Sequence, residues 1–299
     1  MTSREPEVTS APPCRICGAA SLGVGEAISA YSGRRYRLRR CRSCHFAFVA
    51  NPWLDLGAIY GEAYYRGQGA DPLVDYLAET EHPETTVRIH EWRGTRARVA
   101  SLVPLGAETS WLDFGCGAGG LVRFLRGTGV PGAVGYEPGW AAAWLRDRSI
   151  PVLSDRDLDQ STGRFDVVTA IEVIEHVLDP VGLLTRIRAV MRPGGLLFLT
   201  TGNAAPYRDR LTSWRYVTPD VHISFFEPET LGRALRAAGF EPGFPGFGPG
   251  WADIIRYKTL KSLRRQRRTR IQALVPWSVV APLIDRRLRL SAQPVGWAR

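Results

Sequence analysis

The sequence predicts an α/β protein built on a mostly parallel sheet, with a small cysteine-rich module in front of it. From Ser110 to about Phe240, short apolar runs alternate with amphipathic helical patterns, which is typical of βαβ units. A glycine-rich turn follows the first of these runs, and two Cys-x-x-Cys pairs lie upstream of it. The length of 299 residues is sufficient for one large domain with small appendages.

Composition indicates a globular protein that is not secreted. Hydrophobic residues make up 44% and charged residues 23% of the sequence, as in ordinary water-soluble folds. The first thirteen residues are polar and lack the apolar core of a secretion signal. The longest apolar stretch, 274–284, contains Pro276 and Pro282 and is far shorter than the ~20 residues of a membrane span. We therefore expect a cytoplasmic protein.

Five segments can be distinguished along the chain. We predict a flexible leader at 1–13, a cysteine-rich ribbon at 14–50, a helical linker or cap at 51–105, the α/β domain at 106–245 and a basic amphipathic tail at 246–299. In the ribbon, two short strand-like runs on either side of Ser32-Gly33 predict a hairpin.

The α/β domain is predicted to contain five consecutive short strands. Each is an apolar run bounded by turn residues, at 111–114, 133–136, 150–153, 165–171 and 196–200. Helices are expected at 121–127, at 141–148 and from Asp179-Pro180, where the aspartate is an N-cap and the proline the first helical residue. After a long connection, 201–226, a last helix is predicted from near Pro228 to Gly239.

Four of the five cysteines have the spacing of a zinc site. Cys14 and Cys17 form one Cys-x-x-Cys pair, and Cys41 and Cys44 form another. Such turns present thiolates at the spacing that tetrahedral zinc requires, and two of them complete a structural site without an open position. Two disulfides or four unrelated buried thiols are the alternatives. An intracellular location argues against the first, and the paired spacing argues against the second.

The glycine-rich turn, 115–120, joins the first strand to the first helix of the domain. Glycines there let a ligand approach the backbone at a helix N-terminus. Asp113 lies two residues before the turn, and its carboxylate would repel a pyrophosphate but attract an ammonium or sulfonium group. Glu137, at the end of the second strand, could accept hydrogen bonds from a ribose diol. Cys116 is expected to be a small residue tolerated in the turn, since no base is adjacent in sequence.

Several runs carry a resemblance to a known family. WLDFGCGAGG, GYEPG, FDVVTAIEVIEHVLDP and RPGGLLFLTT resemble, in order and spacing, the successive motifs of class I S-adenosylmethionine-dependent methyltransferases. The cysteine pairs followed by IYGEAYY resemble the zinc-binding extension found in relatives of the sugar C-methyltransferases. The resemblance implies a Rossmann-like sheet of seven strands with a reversed last strand, and S-adenosylmethionine lying over the glycine-rich turn.

The resemblance also implies contacts with the cofactor. The turn would contribute Gly115, Gly117 and Gly119, Asp113 would lie near the methionine part, and Glu137 would bind the ribose. Asp155, after the third strand, would contact the adenine or be a solvated loop acid, and Glu172 would lie beside the cofactor.

Three residues are candidate catalytic residues at the binding site of the methyl acceptor. His222 lies in the long connection and resembles the base of the sugar C-methyltransferases, with Asp220 in a position to orient it; its alternative role is to anchor a lid. His176 could be structural, near the cofactor, or a base. Tyr64, with Tyr65, resembles tyrosines that cover the active site in related enzymes, whereas the alternative for both is plain core packing.

The acceptor is predicted to be a small molecule, a sugar or natural-product intermediate, methylated on oxygen or carbon. The net charge of +10 comes from residues 256–299, which hold twelve Lys and Arg against one acid. This tail could pack Leu274, Trp277 and Ile284 against the core, lie on an anionic membrane surface, or bind nucleic acid. The alternative function is an RNA-directed methyltransferase or a non-catalytic polyanion-binding protein. No oligomeric state is predicted.

Overall fold

The computed structural model describes residues 11–71, 74–244, 246, 248, 250–262, 275–288 and 295–298. The strands in this part of the chain are β1 (Ser21–Ile28), β2 (Arg35–Cys41), β3 (Ala47–Val49), β4 (Trp111–Phe114), β5 (Val134–Tyr136), β6 (Val152–Leu153), β7 (Phe165–Ile171), β8 (Met191–Thr200), β9 (Ser224–Phe225), β10 (Phe240–Gly243) and β11 (Val295–Ala298). They form one sheet in the order β10-β11-β8-β7-β4-β5-β6 and a second in the order β1-β2-β3-β9.

The helices pack around the larger sheet or cover one of its edges. They are α1 (Leu56–Ile59), α2 (Glu62–Tyr65), α3 (Tyr76–Glu81), α4 (Arg88–Ala100), α5 (Gly120–Gly127), α6 (Trp140–Asp147), α7 (Asp155–Asp159), α8 (Pro180–Val190), α9 (Pro228–Ala237), α10 (Trp251–Ser262) and α11 (Trp277–Leu288). The predicted N-cap of α8 is confirmed, because Asp179 Oδ1 accepts a hydrogen bond from the Gly182 amide at 2.8 Å.

The larger sheet confirms the predicted α/β fold with five parallel strands. Four neighbouring pairs are parallel, namely β5 with β6, β4 with β5, β4 with β7, and β7 with β8. β11 runs antiparallel to β8 and β10 runs antiparallel to β11, which extends the sheet beyond the parallel strands. The chain order changes direction between β4 and β7, and in open α/β sheets ligands bind at the carboxyl ends of the strands at such a point.

The smaller sheet joins the N-terminal module to the α/β domain. The predicted hairpin is confirmed, since β1 and β2 are antiparallel with Ile28 opposite Arg35. β3 follows, and it pairs with β9, which belongs to the long connection after β8. The two parts also share a core, in which the Phe46 and Phe226 rings lie 5.1 Å apart between centroids. The module is therefore built into the fold and is not an appendage on a linker.

The fifth parallel strand is longer than predicted. β8 begins at Met191, which pairs with Phe165 at the start of β7, although Pro193, Gly194 and Gly195 follow it. The Arg192 side chain forms an ion pair with Asp166 of β7 at 2.7 Å, which keeps the two strands together through the proline-glycine run. The proline and the two glycines therefore make the start of β8 irregular but do not prevent it from pairing with β7.

The tail contributes a strand and two helices in its described portions. α11 packs against α10, and α10 packs against α4. Trp277 and Ile284 are half-buried, whereas Val279 and Leu283 of α11 are 60% and 62% exposed. Leu274, also predicted to pack on the core, lies outside the described residues. Within the described segments, no helix is both long enough and apolar enough to span a bilayer.

Candidate functional site

The glycine-rich turn is held in a shape that only glycine fits. Gly115 and Gly119 both have a φ of 73°, in the left-handed region that other residues enter at a cost. A Cβ atom on Gly115 would lie 2.6 Å from Val173 Cγ2, and one on Gly119 would lie 2.5 Å from Leu145 Cδ2. The turn is thus packed between the segment after β7 and helix α6, at the point where the sheet order reverses.

Two acidic side chains flank this turn. Asp113 is 5% exposed and accepts a hydrogen bond from Thr169 Oγ1 at 2.7 Å. Glu137 accepts one from the Gly117 amide at 2.7 Å and one from the Tyr65 hydroxyl at 3.2 Å. Burial raises the pKa of Asp113 and of Glu137 to about 7. A positively charged or hydroxyl-rich ligand would stabilise the ionised forms of both groups.

A cavity of about 130 Å³ opens beside the turn. Its walls include Asp113, Gly115 and Gly117 from the sheet side and Tyr76 and Trp92 from helices α3 and α4. The Trp92 ring occupies the space that a Cβ on Gly120 would fill. Sequence reasoning missed these helical residues, because an aromatic residue in an amphipathic helix has the same pattern whether it lines a site or the core.

A second cluster lies beyond β7 and contains two of the predicted catalytic residues. The His176 and His222 rings are 4.9 Å apart between centroids. Glu175 is fully buried and accepts a hydrogen bond from the Tyr216 hydroxyl. The same hydroxyl lies 2.6 Å from Glu172 Oε2, and Thr200 Oγ1 donates to Glu172 Oε1 at 2.9 Å. The structure thus places Glu172 with this cluster, directly after β7.

Backbone carbonyl oxygens lie at the Nδ1 atoms of both histidines. His176 Nδ1 lies 3.0 Å from the Val221 carbonyl oxygen, and His222 Nδ1 lies 2.7 Å from the Tyr216 carbonyl oxygen. A carbonyl oxygen only accepts, so these two contacts favour the tautomer in which Nδ1 carries the proton and Nε2 keeps its lone pair. Burial lowers the pKa of both imidazoles to about 4, so that they are neutral at pH 7.

A row of aromatic side chains connects this cluster with Glu137. The Tyr60 hydroxyl lies 2.9 Å from His176 Nδ1, and the Tyr60 and Tyr64 rings meet edge to face at 5.0 Å. Tyr64 contacts Tyr65 in the same way at 5.3 Å, and Tyr65 reaches Glu137. Tyr64 is only 7% exposed. The predicted acceptor residues and the predicted ribose acid are therefore joined by one continuous row of contacting side chains.

The expectation that Asp220 orients His222 is wrong. The Asp220 carboxylate accepts hydrogen bonds from the Ser29 hydroxyl, from the Ser32 hydroxyl at 2.6 Å and from the Tyr36 hydroxyl at 2.6 Å. All three donors belong to the N-terminal hairpin or its turn. Asp220 therefore attaches the loop that carries His222 to the module. The Tyr216 carbonyl and the Thr218 hydroxyl orient the His222 ring instead.

Asp155 is placed in a surface network. At the start of α7, it accepts a hydrogen bond from the Tyr136 hydroxyl at 2.6 Å and pairs with Arg186 at 3.1 Å. Its side chain is 70% exposed, so the carboxylate remains accessible at the carboxyl end of β6.

The four N-terminal cysteines converge. Cys14 and Cys44 have their sulfur atoms 3.5 Å apart, as do Cys17 and Cys41, and all four sulfur atoms lie within 4.8 Å of one another. Zinc–sulfur bonds of about 2.3 Å in a tetrahedron separate the sulfur atoms by about 3.8 Å. The donor set and its spacing therefore fit one zinc ion. Cys116, by contrast, packs against Gly135, and burial raises the pKa of its thiol well above the usual range.

Comparison with known proteins agrees with this geometry. A family model described as "Methyltransferase domain" matches residues 85–242, more than half of the chain. Similar curated proteins are named ubiquinone biosynthesis O-methyltransferase. The protein of that name from Pseudomonas aeruginosa is 33% identical over 148 residues, covering 44% of this chain and 63% of its own length. The one from Thiobacillus denitrificans is 31% identical over 172 residues, covering 51% of this chain and 73% of its own length.

Solved structures are more distant. A SAM-dependent methyltransferase from Archaeoglobus fulgidus is 17% identical, with a TM-score of 0.43, over 74% of this chain and 97% of that one. The match to the Pseudomonas relative spans slightly less than two thirds of that protein.

Proposed function

Because the chain belongs to the methyltransferase-domain family and is a class I S-adenosylmethionine-dependent methyltransferase, we propose that it methylates an oxygen atom of a small-molecule acceptor. The observation that carries the proposal is a pair of acids, the buried Asp113 and the half-buried Glu137, on either side of the glycine-rich turn at the sheet's reversal point. The relatives named O-methyltransferases favour oxygen over carbon as the site of transfer. A sugar or natural-product acceptor stays a prediction.

The cofactor contacts follow from the positions of these side chains. Gly115, Gly117 and Gly119 would admit the ligand close to the backbone, and Glu137 would exchange its bonds to Gly117 and Tyr65 for the two ribose hydroxyls. Asp113, held by Thr169, would face the positively charged methionine part. When bound, S-adenosylmethionine supplies a methyl group on a sulfonium.

The acceptor would lie along the aromatic row between Glu137 and the two histidines. Buried rings exclude water there, and a loss of positive charge in the transition state is favoured in such surroundings. Tyr64 would shape this surface. Positioning the acceptor oxygen behind the methyl carbon supplies much of the catalysis. The base roles of His222 and His176 stay predictions. Burial lowers the pKa of both imidazoles to about 4, so each would take up the acceptor's proton only weakly at neutral pH.

We also propose that Cys14, Cys17, Cys41 and Cys44 bind a structural zinc ion. Their mutual spacing supports this, and the knuckles are part of the same apolar cluster as the α/β core. The ion would hold together the module to which the His222 loop is attached through β9 and Asp220. A contact of the basic tail with an anionic membrane surface or a nucleic acid stays a prediction.

Calorimetric titration with S-adenosylhomocysteine tests the cofactor site. The zinc-loaded full chain is expected to bind with micromolar affinity, and Asp113→Ala and Glu137→Ala are each expected to weaken binding at least tenfold. Asp253→Ala, which removes an exposed acid on α10, is the matched control and should bind as the parent does. An Asp155→Ala variant decides between an adenine contact, which would weaken binding, and a surface role, which would not.

The absence of binding by folded, zinc-loaded protein would contradict the proposed function. Equal affinity of the parent, Asp113→Ala and Glu137→Ala would contradict the assignment of these two acids.

A further inference from the structure

We propose that Glu175, His176 and His222 form a binding site for a divalent metal ion at the acceptor end of the active site. The inference deepens the proposed methyl transfer to oxygen and rests on it for the role of the ion, although the binding of the ion can be tested alone. One ligand atom from each of the three residues lies within 4.8 Å of the other two. They come from the turn after β7 and from the loop before β9, two segments that the fold brings together.

The hydrogen bonds around the histidines prepare both rings as metal ligands. Each Nδ1 donates to a backbone carbonyl, of Val221 for His176 and of Tyr216 for His222. This fixes the ring orientation and leaves Nε2 unprotonated. Metal-binding histidines have this arrangement, in which the second ring nitrogen donates to a carbonyl or carboxylate oxygen.

Among the residues that the structure describes, no cationic side chain forms an ion pair with Glu172 or Glu175. Tyr216 has one hydroxyl proton, yet this hydroxyl contacts both Glu172 Oε2 and Glu175 Oε1, so it can donate to only one of them. The other oxygen of Glu175, Oε2, is buried and has no hydrogen-bond partner among the described residues. A buried carboxylate oxygen without a partner is costly. A cation between Glu175 and the two Nε2 atoms would satisfy it.

The chemistry of the ligands indicates which ions fit. Two imidazoles and one carboxylate suit a first-row divalent ion such as Mn²⁺, Fe²⁺ or Zn²⁺. Three protein ligands leave coordination positions open, unlike the four-cysteine site. Those positions would accept an acceptor that bears two adjacent hydroxyl groups, one of which is methylated.

The ion gives the acceptor proton a route that needs no histidine base. An ion held by Glu175, His176 and His222 would lower the pKa of a bound hydroxyl, and the hydroxyl proton would leave to solvent. The oxygen uses its electron pair to form a bond to the methyl carbon. The bond between that carbon and sulfur would break with its electron pair returning to sulfur, and the products would be the methyl ether and S-adenosylhomocysteine.

Manganese titration of the zinc-loaded full chain, followed by the electron paramagnetic resonance signal of free Mn²⁺, tests the site. The parent is expected to remove one equivalent of Mn²⁺ per chain from solution. Glu175→Gln and His222→Gln, which nearly keep the side-chain volumes, should each bind Mn²⁺ at least tenfold more weakly. His82→Gln, which alters an exposed histidine after α3, is the matched control and should bind as the parent does.

Each variant is also titrated with S-adenosylhomocysteine, which shows whether it is folded and whether the cofactor site is intact. Should His222→Gln not fold, Glu175→Gln decides alone. No Mn²⁺ binding by a parent that binds S-adenosylhomocysteine would overturn the metal site and leave the proposed function standing. Mn²⁺ binding that is equal in the parent, Glu175→Gln and His82→Gln would also overturn it. Loss of S-adenosylhomocysteine binding in the parent would instead contradict the proposed function.

Discussion

Replacement of Asp220 by alanine should destabilise the protein strongly, because it removes the acceptor shared by three hydroxyl groups of the N-terminal hairpin. Two of the donors are buried, Tyr36 at 0% exposure and Ser29 at 6%. A buried donor left without a partner costs about 1–3 kcal/mol. The loss of both should therefore lower the free energy of unfolding by about 2–6 kcal/mol.

Asp220→Asn keeps the shape of the side chain but removes one of its two hydrogen-bond acceptors. The amide keeps one oxygen, which can still accept from Ser32 and Tyr36, but presents an NH₂ group to Ser29. We expect a loss of about 1–3 kcal/mol, less than in Asp220→Ala. Asp147→Ala, an exposed acid at the end of α6, is the control and should change the free energy of unfolding by no more than about 0.5 kcal/mol.

The assay is urea denaturation of the zinc-loaded proteins, followed by tryptophan fluorescence. S-adenosylhomocysteine affinity in the absence of urea should stay unchanged, because the hydrogen bonds of Asp220 go to the hairpin and not to the glycine-rich turn. A loss below about 1 kcal/mol in Asp220→Ala, or equal losses in the alanine and asparagine variants, would refute the reasoning that these hydroxyls depend on the carboxylate.

Three further predictions concern the turn, its acid and the cysteines. Gly119→Ala should lower the free energy of unfolding by about 2–5 kcal/mol in denaturation experiments, because left-handed backbone strain adds to the clash with α6. Gly117→Ala should lower it by only about 1–2 kcal/mol, because a Cβ atom there would meet nothing within 4 Å. Equal losses in the two variants would contradict the packing argument. Burial raises the pKa of Asp113 from 3.8 to about 7. Between these two pH values the folded protein keeps a proton that the unfolded chain has lost, so the contribution of Asp113 to the free energy of unfolding falls as the pH rises from about 4 to about 7. Asp113→Asn should remove that fall, up to about 1.4 kcal/mol per pH unit between pH 5 and 6.5, and an unchanged pH slope would show that the carboxyl is not buried as described. Cys17→Ser should lose zinc by elemental analysis and lower the denaturation midpoint, while full zinc content in this variant would count against a four-thiolate site.

Local sequence signals predicted the parts of the fold that are determined within a few residues. The turn at Gly115–Gly119, the cysteine pairs and the N-cap at Asp179 each need particular residues at fixed spacing, so their pattern is visible in the sequence. The alternation of apolar runs with helical patterns predicted the parallel sheet, and the turn identified Asp113 and Glu137 as candidate cofactor ligands beside it.

The contacts that join distant segments were not predictable in this way. Asp220 and Tyr36 are separated by 184 positions, and nothing near either residue indicates the other, so a plausible local partner, His222, was chosen wrongly. Trp92 has the pattern of any core aromatic residue. The complete burial of Glu175 likewise follows from the packing of the segment around β9 against the turn after β7, which no local pattern of charges specifies.

The pairing of β3 with β9 has a consequence for biosynthesis. β3 ends at Val49, but the strand that covers its open edge lies at Ser224–Phe225. During translation the module emerges with an unpaired strand edge, a common template for mispairing with other chains. The edge of β3 stays uncovered until the five parallel strands and β9 have been synthesised.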